Sequence, residues 1–264
     1  MTRLDRTHVR VEWPRPFVAR VELYRPERLN SFNTAMAEEV AACFEELHRN
    51  EEVRAIVLHG AGDRAFCTGA DLKERATLDE RAWFAQHHVF QRMFRAIAET
   101  PVPVIAAVRG YCLAGGFEIA LNCDFIVAAS DARFGLPEVT RGIMPGGGAT
   151  QILPRIVGEA WASRLIMTGE TIDVQTAQRI GLVTEVIEPE RLLPRALELA
   201  ESIAANAPIA VRQVKQAIRA TRSLGWEEGR RRELELYAAC VPTDDRREGM
   251  RSFVEKRKPV FRGR

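Results

Sequence analysis

The sequence offers little for a disulfide framework or a thiolate metal site. Its five cysteines (Cys43, Cys67, Cys112, Cys123 and Cys240) are odd in number, widely spaced and without a CxxC pair. Reduced thiols in a cytoplasmic setting are expected, with no metal site. Net charge is nearly absent too: 38 Lys and Arg oppose 36 Asp and Glu, a balance of +2. No bulk attraction to nucleic acid or to an anionic membrane follows, so any polyanion has to be met locally. There is no long apolar run. The most apolar stretch, 102–108, stops at Arg109, far short of a membrane span, and the N-terminal segment lacks a signal-peptide core. Neither export nor insertion is expected. GxSxG, HExxH and GxxxxGK[ST] are all missing, and His8, His48, His59, His87 and His88 show no pairing with a nucleophile. Serine and cysteine hydrolysis, zinc proteolysis and P-loop chemistry lose their usual signatures.

What is present reads as an α/β chain. Short β-branched runs at 9–13, 17–23, 54–59, 104–108 and 125–129 have the length and composition of buried strands. Between them Met36, Val40, Phe44 and Leu47 share one helical face, as do Phe90, Met93, Phe94 and Ile97. After about Pro189 the pattern becomes helical, over 192–206, 207–222 and 226–239, followed by a basic tail. The expected division is a core over 1–195 and a helical C-terminal region over 196–264. The helix over 79–99 is expected near the ligand, with Trp83, Phe84 and Phe90 assigned to the core. The basic clusters 230–232 and 256–258 read as solvated helix faces; without interleaved aromatics they make no nucleic-acid platform.

Three segments carry chemistry. Phe66-Cys67-Thr68-Gly69-Ala70-Asp71 follows a strand through Gly60-Ala61-Gly62-Asp63. A dinucleotide loop of the form GxGxxA is disfavoured, since such a loop opens directly into a helix and here Ala65 to Gly69 intervene. A plain strand-to-helix turn is the bland alternative. In the second segment, the strand 104–108 enters Gly110-Tyr-Cys-Leu-Ala-Gly115-Gly116-Phe-Glu118. Glycines that admit a close ligand, placed at a helix N-terminus, suit a developing anion, although Gly115 and Gly116 could equally serve tight packing. The third, Phe134-Gly135-Leu136-Pro137-Glu138, leads into Gly146-Gly147-Gly148. Glu118 and Glu138 are twenty residues apart with a strand between them, so only tertiary folding can bring them together. Two carboxylates at one small site would repel, raising at least one pKa and making it a useful proton carrier.

In this order and spacing the segments resemble the crotonase superfamily, particularly its enoyl-coenzyme A hydratases. The likeness runs from Arg25-Pro26-Glu27-Arg28-Leu29-Asn30 to the tail Glu248-Gly-Met-Arg-Ser-Phe253-Val-Glu-Lys256-Arg-Lys-Pro. It implies a spiral of repeated ββα units, with C-terminal helices that build a homotrimer or a dimer of trimers. It also implies an acyl-coenzyme A substrate, no cofactor beyond the coenzyme A that the substrate carries, and a place in fatty-acid and lipid metabolism.

Residue by residue, the resemblance assigns the backbone N–H groups of Ala70 and Gly115 to an oxyanion hole. Glu118 becomes the base that directs water to C3, and Glu138 the acid that protonates C2. Coenzyme A contacts fall at Arg28, Leu29, Ala70, Asp71, Leu72, Lys73 and Gly115, with Phe253 and Lys256 supplied by a neighbouring subunit. Ala114 departs from a common glycine, which matters if that position needs positive φ. Asp71-Leu72-Lys73-Glu74-Arg75 also resembles the methylglutaconyl-coenzyme A hydratases, some of which bind RNA. Rival readings are enoyl-coenzyme A isomerisation, carnitinyl-type dehydration and an RNA-binding side role.

Overall fold

The computed structural model describes residues 4–264. Strands β1 (Leu4–Asp5), β2 (Val9–Arg15) and β3 (Val18–Leu23) pair antiparallel at one edge and lead to helix α1 (Thr34–Arg49). Three ββα units follow. The first is β4 (Ala55–Gly60), β5 (Ala65–Cys67), α2 (Leu72–Arg75) and α3 (Glu80–Glu99); the second is β6 (Val104–Val108), β7 (Tyr111–Leu113) and α4 (Gly115–Asn122). The third is β8 (Phe125–Ala129), β9 (Arg133–Gly135), α5 (Ala149–Val157) and α6 (Glu159–Thr168). Then come β10 (Thr171–Asp173), α7 (Val174–Arg179), β11 (Glu185–Ile187), α8 (Leu192–Ala204), α9 (Pro208–Ala220), α10 (Trp226–Cys240) and α11 (Asp244–Val254).

Each unit sends its first strand to one sheet and its second to another. The larger sheet runs β1-β2-β3-β4-β6-β8-β11 and is parallel from β3 onward; the smaller runs β10-β9-β7-β5, with β5, β7 and β9 parallel. Successive turns therefore stack as a spiral, as expected from the resemblance.

Period-two alternation explains the two cores. In β4, Ile56 and Leu58 face α1, α3 and the smaller sheet, while Ala55 and Val57 face α8; in β6, Val104, Ala106 and Val108 take the first side and Ile105 and Ala107 the second. The α8 side is built from small and β-branched residues, so Ala196, Ala200 and Ala204 lie close on the sheet. The boundary expected at residue 195 falls inside α8, which packs on the sheet along its whole length. Beyond it, α9 is tied down by charge: the buried Lys215 Nζ lies 2.7 Å from Asp124, whose other oxygen accepts Arg219 at 2.9 Å. On α10, Arg230 and Arg232 pair with Glu233 and Glu235, as a solvated face would. The tail read only as basic holds a real helix, α11, capped by the Thr243 hydroxyl.

Candidate active site

Strand β7 ends at Leu113, and Ala114 turns the chain into α4 with φ 50° and ψ −133°. The glycine-favouring geometry is thus real, and alanine holds it at a backbone cost of order 1–3 kcal/mol. The Ala114 N–H donates to Gly135 O of β9 at 2.8 Å, which pins the turn. Gly116 then lets α4 rest on β5, since a Cβ there would lie 2.1 Å from Cys67 O. The packing reading of this glycine is correct, and it serves the site by bringing the helix N-terminus against the 69–70 segment. A Cβ on Gly69 would sit 3.0 Å from Gly115 N.

The two segments that carry the N–H groups assigned to the oxyanion hole are thereby neighbours. Gly115 is the first residue of α4, so its N–H has no acceptor within the helix. Ala70 makes a parallel bridge with Phe32 in which Gly69 O and the Asp71 N–H take the Phe32 backbone groups. The N–H of Ala70 itself faces the other way.

Ala70, Leu72, Gly115, Glu118 and Glu138 line one cavity of about 610 Å³. Glu118 stands in the first turn of α4, buried, and its Oε1 accepts the N–H of Gly147 at 2.6 Å and of Ala149 at 3.1 Å. Burial raises its pKa, while the N–H groups of Ala149, Gly147 and Gly146 oppose the rise. Glu138 lies on the short 3-10 helix Pro137–Arg141, and its Oε2 is buried without a hydrogen-bond partner. Burial first, and the Glu118 charge as well, push it up to about 7. The structure therefore unites the two carboxylates that twenty residues and a strand separate in sequence.

Other assigned residues stand outside the cavity wall. Asp71 caps α2 through the Lys73 N–H and pairs with Arg25 at 3.1 Å, so its carboxylate is committed to holding the 25–31 loop against α2. Arg28, Lys73 and Lys256 are exposed, Leu29 is half-buried with φ 53°, and Phe253 is 85% exposed on α11. Trp83 and Phe84 correct the core assignment: they line the cavity beside Phe90 but are not buried, Phe84 being 57% exposed. Only Phe90 is also core. Periodicity marks which residues share a face, not whether that face meets packed atoms or a void.

Sequence reasoning missed Asn122. It lies four residues after Glu118 on α4, and its buried Nδ2 donates to Glu118 O at 2.8 Å and to Gly147 O at 2.9 Å. It thus holds the loop whose N–H groups hold the Glu118 carboxylate; the i, i+4 spacing was the available signal. Asn122→Ala is expected to cost about 1–3 kcal/mol of stability, because Gly147 O loses a buried donor. It should also lower kcat more than it raises KM, which urea unfolding and steady-state kinetics would check. Among the described residues no cluster of His, Cys, Asp and Glu could hold a metal ion, and no helix is long and apolar enough to cross a membrane.

Known proteins share this arrangement over nearly the full chain. The short-chain-enoyl-CoA hydratase of Clostridium acetobutylicum is 41% identical, over 91% of this chain and 92% of its own. The 2,3-dehydroadipyl-CoA hydratase of Escherichia coli is 39% identical, over 92% and 94% respectively. The crystal structure of an enoyl-CoA hydratase from Bacillus anthracis superposes with a TM-score of 0.96 at 39% identity, covering 98% of this chain and all of that one. With residues 16–264 matching its profile, this chain belongs to the enoyl-CoA hydratase/isomerase family.

Proposed function

We propose that this protein is an enoyl-coenzyme A hydratase, a hydro-lyase that adds water across the 2,3 double bond of an enoyl thioester to give the 3-hydroxyacyl thioester. The observation that carries the reading is the meeting of two buried carboxylates in one cavity, beside a helix N-terminus and a second free backbone N–H. Isomerisation needs one carboxylate to move a proton; hydration uses two, one for the water and one for C2. The hydratase names of the two relatives agree.

The chemistry balances on this chain's own groups. Ionised Glu118 takes a proton from water as the water oxygen bonds to C3. The C2–C3 π pair moves toward the thioester, and the oxygen becomes an enolate facing the Ala70 and Gly115 N–H groups. Preorganised donors of this kind contribute because they strengthen as charge develops. Protonated Glu138 then gives its proton to C2, and solvent exchange restores both acids. Glu138 suits the acid role because a carboxyl pushed up to about 7 keeps a proton near neutrality.

The exposed apolar residues Trp226, Leu234, Tyr237, Val241, Phe253 and Val254 support self-association through α10 and α11, as a trimer or a dimer of trimers. Such an assembly is the setting in which Phe253 and Lys256 would reach a neighbouring subunit's coenzyme A.

Hydration removes the conjugated thioester absorbance, so the purified protein should bleach crotonyl-coenzyme A. Its kcat/KM for hydration should fall as pH rises through about 7, where Glu138 loses the proton it must donate, and Glu138→Gln should abolish that limb. No bleaching at any pH, or conversion of a 3-enoyl thioester alone, would replace this reading with isomerisation.

A further inference from the structure

One cation in the cavity is not used by the hydration steps. Arg75 ends α2 with its side chain in the cavity wall, and the residue is only 8% exposed. Its Cζ lies 3.4 Å from the Trp83 ring centroid and 5.5 Å from that of Phe90. Such stacking orients a guanidinium but does not neutralise it. The Nε is buried without a partner, and among the described residues no carboxylate stands within ion-pairing distance. Adjacent Glu74 acts on Arg75 only through space. Its oxygens are taken by the Thr34 N–H and hydroxyl and by Gln86 Nε2.

A guanidinium keeps its charge in proteins, so a buried one with no counter-ion is expensive unless a ligand supplies the anion. Among the described residues no anion meets Arg75 directly, and Glu74 acts only from a distance. His87, which also lines the cavity, has its pKa lowered by burial and then by the Arg75 and His88 charges, and the other cation in the wall, Arg141, is exposed. Burial and backbone groups perturb both Glu118 and Glu138, and the Glu118 charge also raises Glu138; Arg75 contributes to neither shift. The cation thus stands in the same cavity against Trp83 and Phe90, without an ion pair to either reacting carboxylate.

We infer that Arg75 receives a carboxylate at the far end of the acyl chain, so that the preferred substrates are thioesters of dicarboxylic acids. The inference rests on the acyl-coenzyme A reading of the cavity, and it names the acyl class that family membership leaves open. Phosphates of coenzyme A are the other anions within reach of such a cation. An aromatic-lined wall in which Arg75 is itself only 8% exposed favours the single small carboxylate over the strongly hydrated phosphates.

Equilibrium binding of saturated thioesters tests this without any turnover. Glutaryl-, adipyl- and suberyl-coenzyme A are compared with valeryl-, hexanoyl- and octanoyl-coenzyme A by calorimetry on the wild-type protein, Arg75→Met and Arg75→Lys. The wild type should prefer the dicarboxylic thioester at one chain length or more. Arg75→Met should reduce that preference about 10- to 100-fold, the worth of a charged hydrogen bond, and Arg75→Lys should retain part of it. Equal or weaker wild-type affinity for the dicarboxylic member at every length overturns the inference, whether or not either variant folds. Equal weakening of both series by Arg75→Met also overturns it and assigns the contact to coenzyme A phosphate. A protein that shows the preference but hydrates nothing keeps this inference and loses the hydratase reading; one that hydrates crotonyl-coenzyme A without the preference does the reverse.

Discussion

Replacing Glu118 by glutamine is expected to slow hydration of crotonyl-coenzyme A by about 100- to 10,000-fold while leaving acyl-coenzyme A affinity nearly unchanged. The geometry makes this substitution unusually clean. Two of its backbone donors, Gly147 N–H and Ala149 N–H, go to the same carboxylate oxygen, Oε1. A glutamine carbonyl in that place accepts both, so the loop and helix stay as they are. What is lost is the other oxygen, which becomes an NH2 group that cannot take a proton from water. Stopped-flow loss of the enoyl absorbance gives the rate, and calorimetry with butyryl-coenzyme A gives the binding. A variant within about tenfold of the wild-type rate would show that Glu118 is not the base. Because burial raises the Glu118 pKa, the substitution also removes a carboxylate that folding disfavours in its charged form. Folded and unfolded states then differ by fewer bound protons, so Glu118→Gln should unfold no more easily than the wild type at neutral pH and above.

Gly116→Ala is expected to damage the site through a single added methyl. Its Cβ would lie 2.1 Å from Cys67 O and 2.5 Å from Cys67 C, backbone atoms of β5 that cannot rotate aside. Helix α4 has to lift from the strand, carrying Gly115 N–H away from Ala70. Overpacking of this kind costs about 1–3 kcal/mol. Misplacing one oxyanion donor costs about 100- to 1,000-fold in rate. Gly229→Ala on α10 is the matched control, since nothing lies within 4 Å of a Cβ there. Thermal denaturation and kcat on both variants would check the difference. A soluble Gly116→Ala protein with wild-type kcat would sink the proposed placement of the donors.

Strands β6 and β8 were legible to the residue, because both are buried on two faces and read as unbroken apolar runs bounded by polar residues or proline. The smaller sheet was not. Strands β5, β7, β9 and β10 have three residues each, too few for any periodicity to register, and their pairing is long-range. The two glutamates were visible as candidates by their company: Glu118 behind Gly115-Gly116, and Glu138 behind Phe134-Gly135-Leu136-Pro137. Their shared cavity was not visible, since it depends on α4 and the 137–141 turn arriving from different units of the spiral. Arg75 and Asn122 carried no sequence mark of comparable strength. A buried arginine and an exposed one have the same letter, and only the surrounding atoms decide which it is.

The amino-acid sequence alone determined the alternation of strands and helices, the glycine-rich turns that let backbone approach backbone, and the residue types able to move a proton or hold an anion. These are local properties, set by side-chain shape, backbone freedom and ionisable groups. Tertiary structure alone decided which carboxylates meet, how far burial lifts Glu138, and that Arg75 faces an apolar cavity with no partner carboxylate. Those are properties of desolvation and distance, and neither exists until remote parts of the chain are packed together.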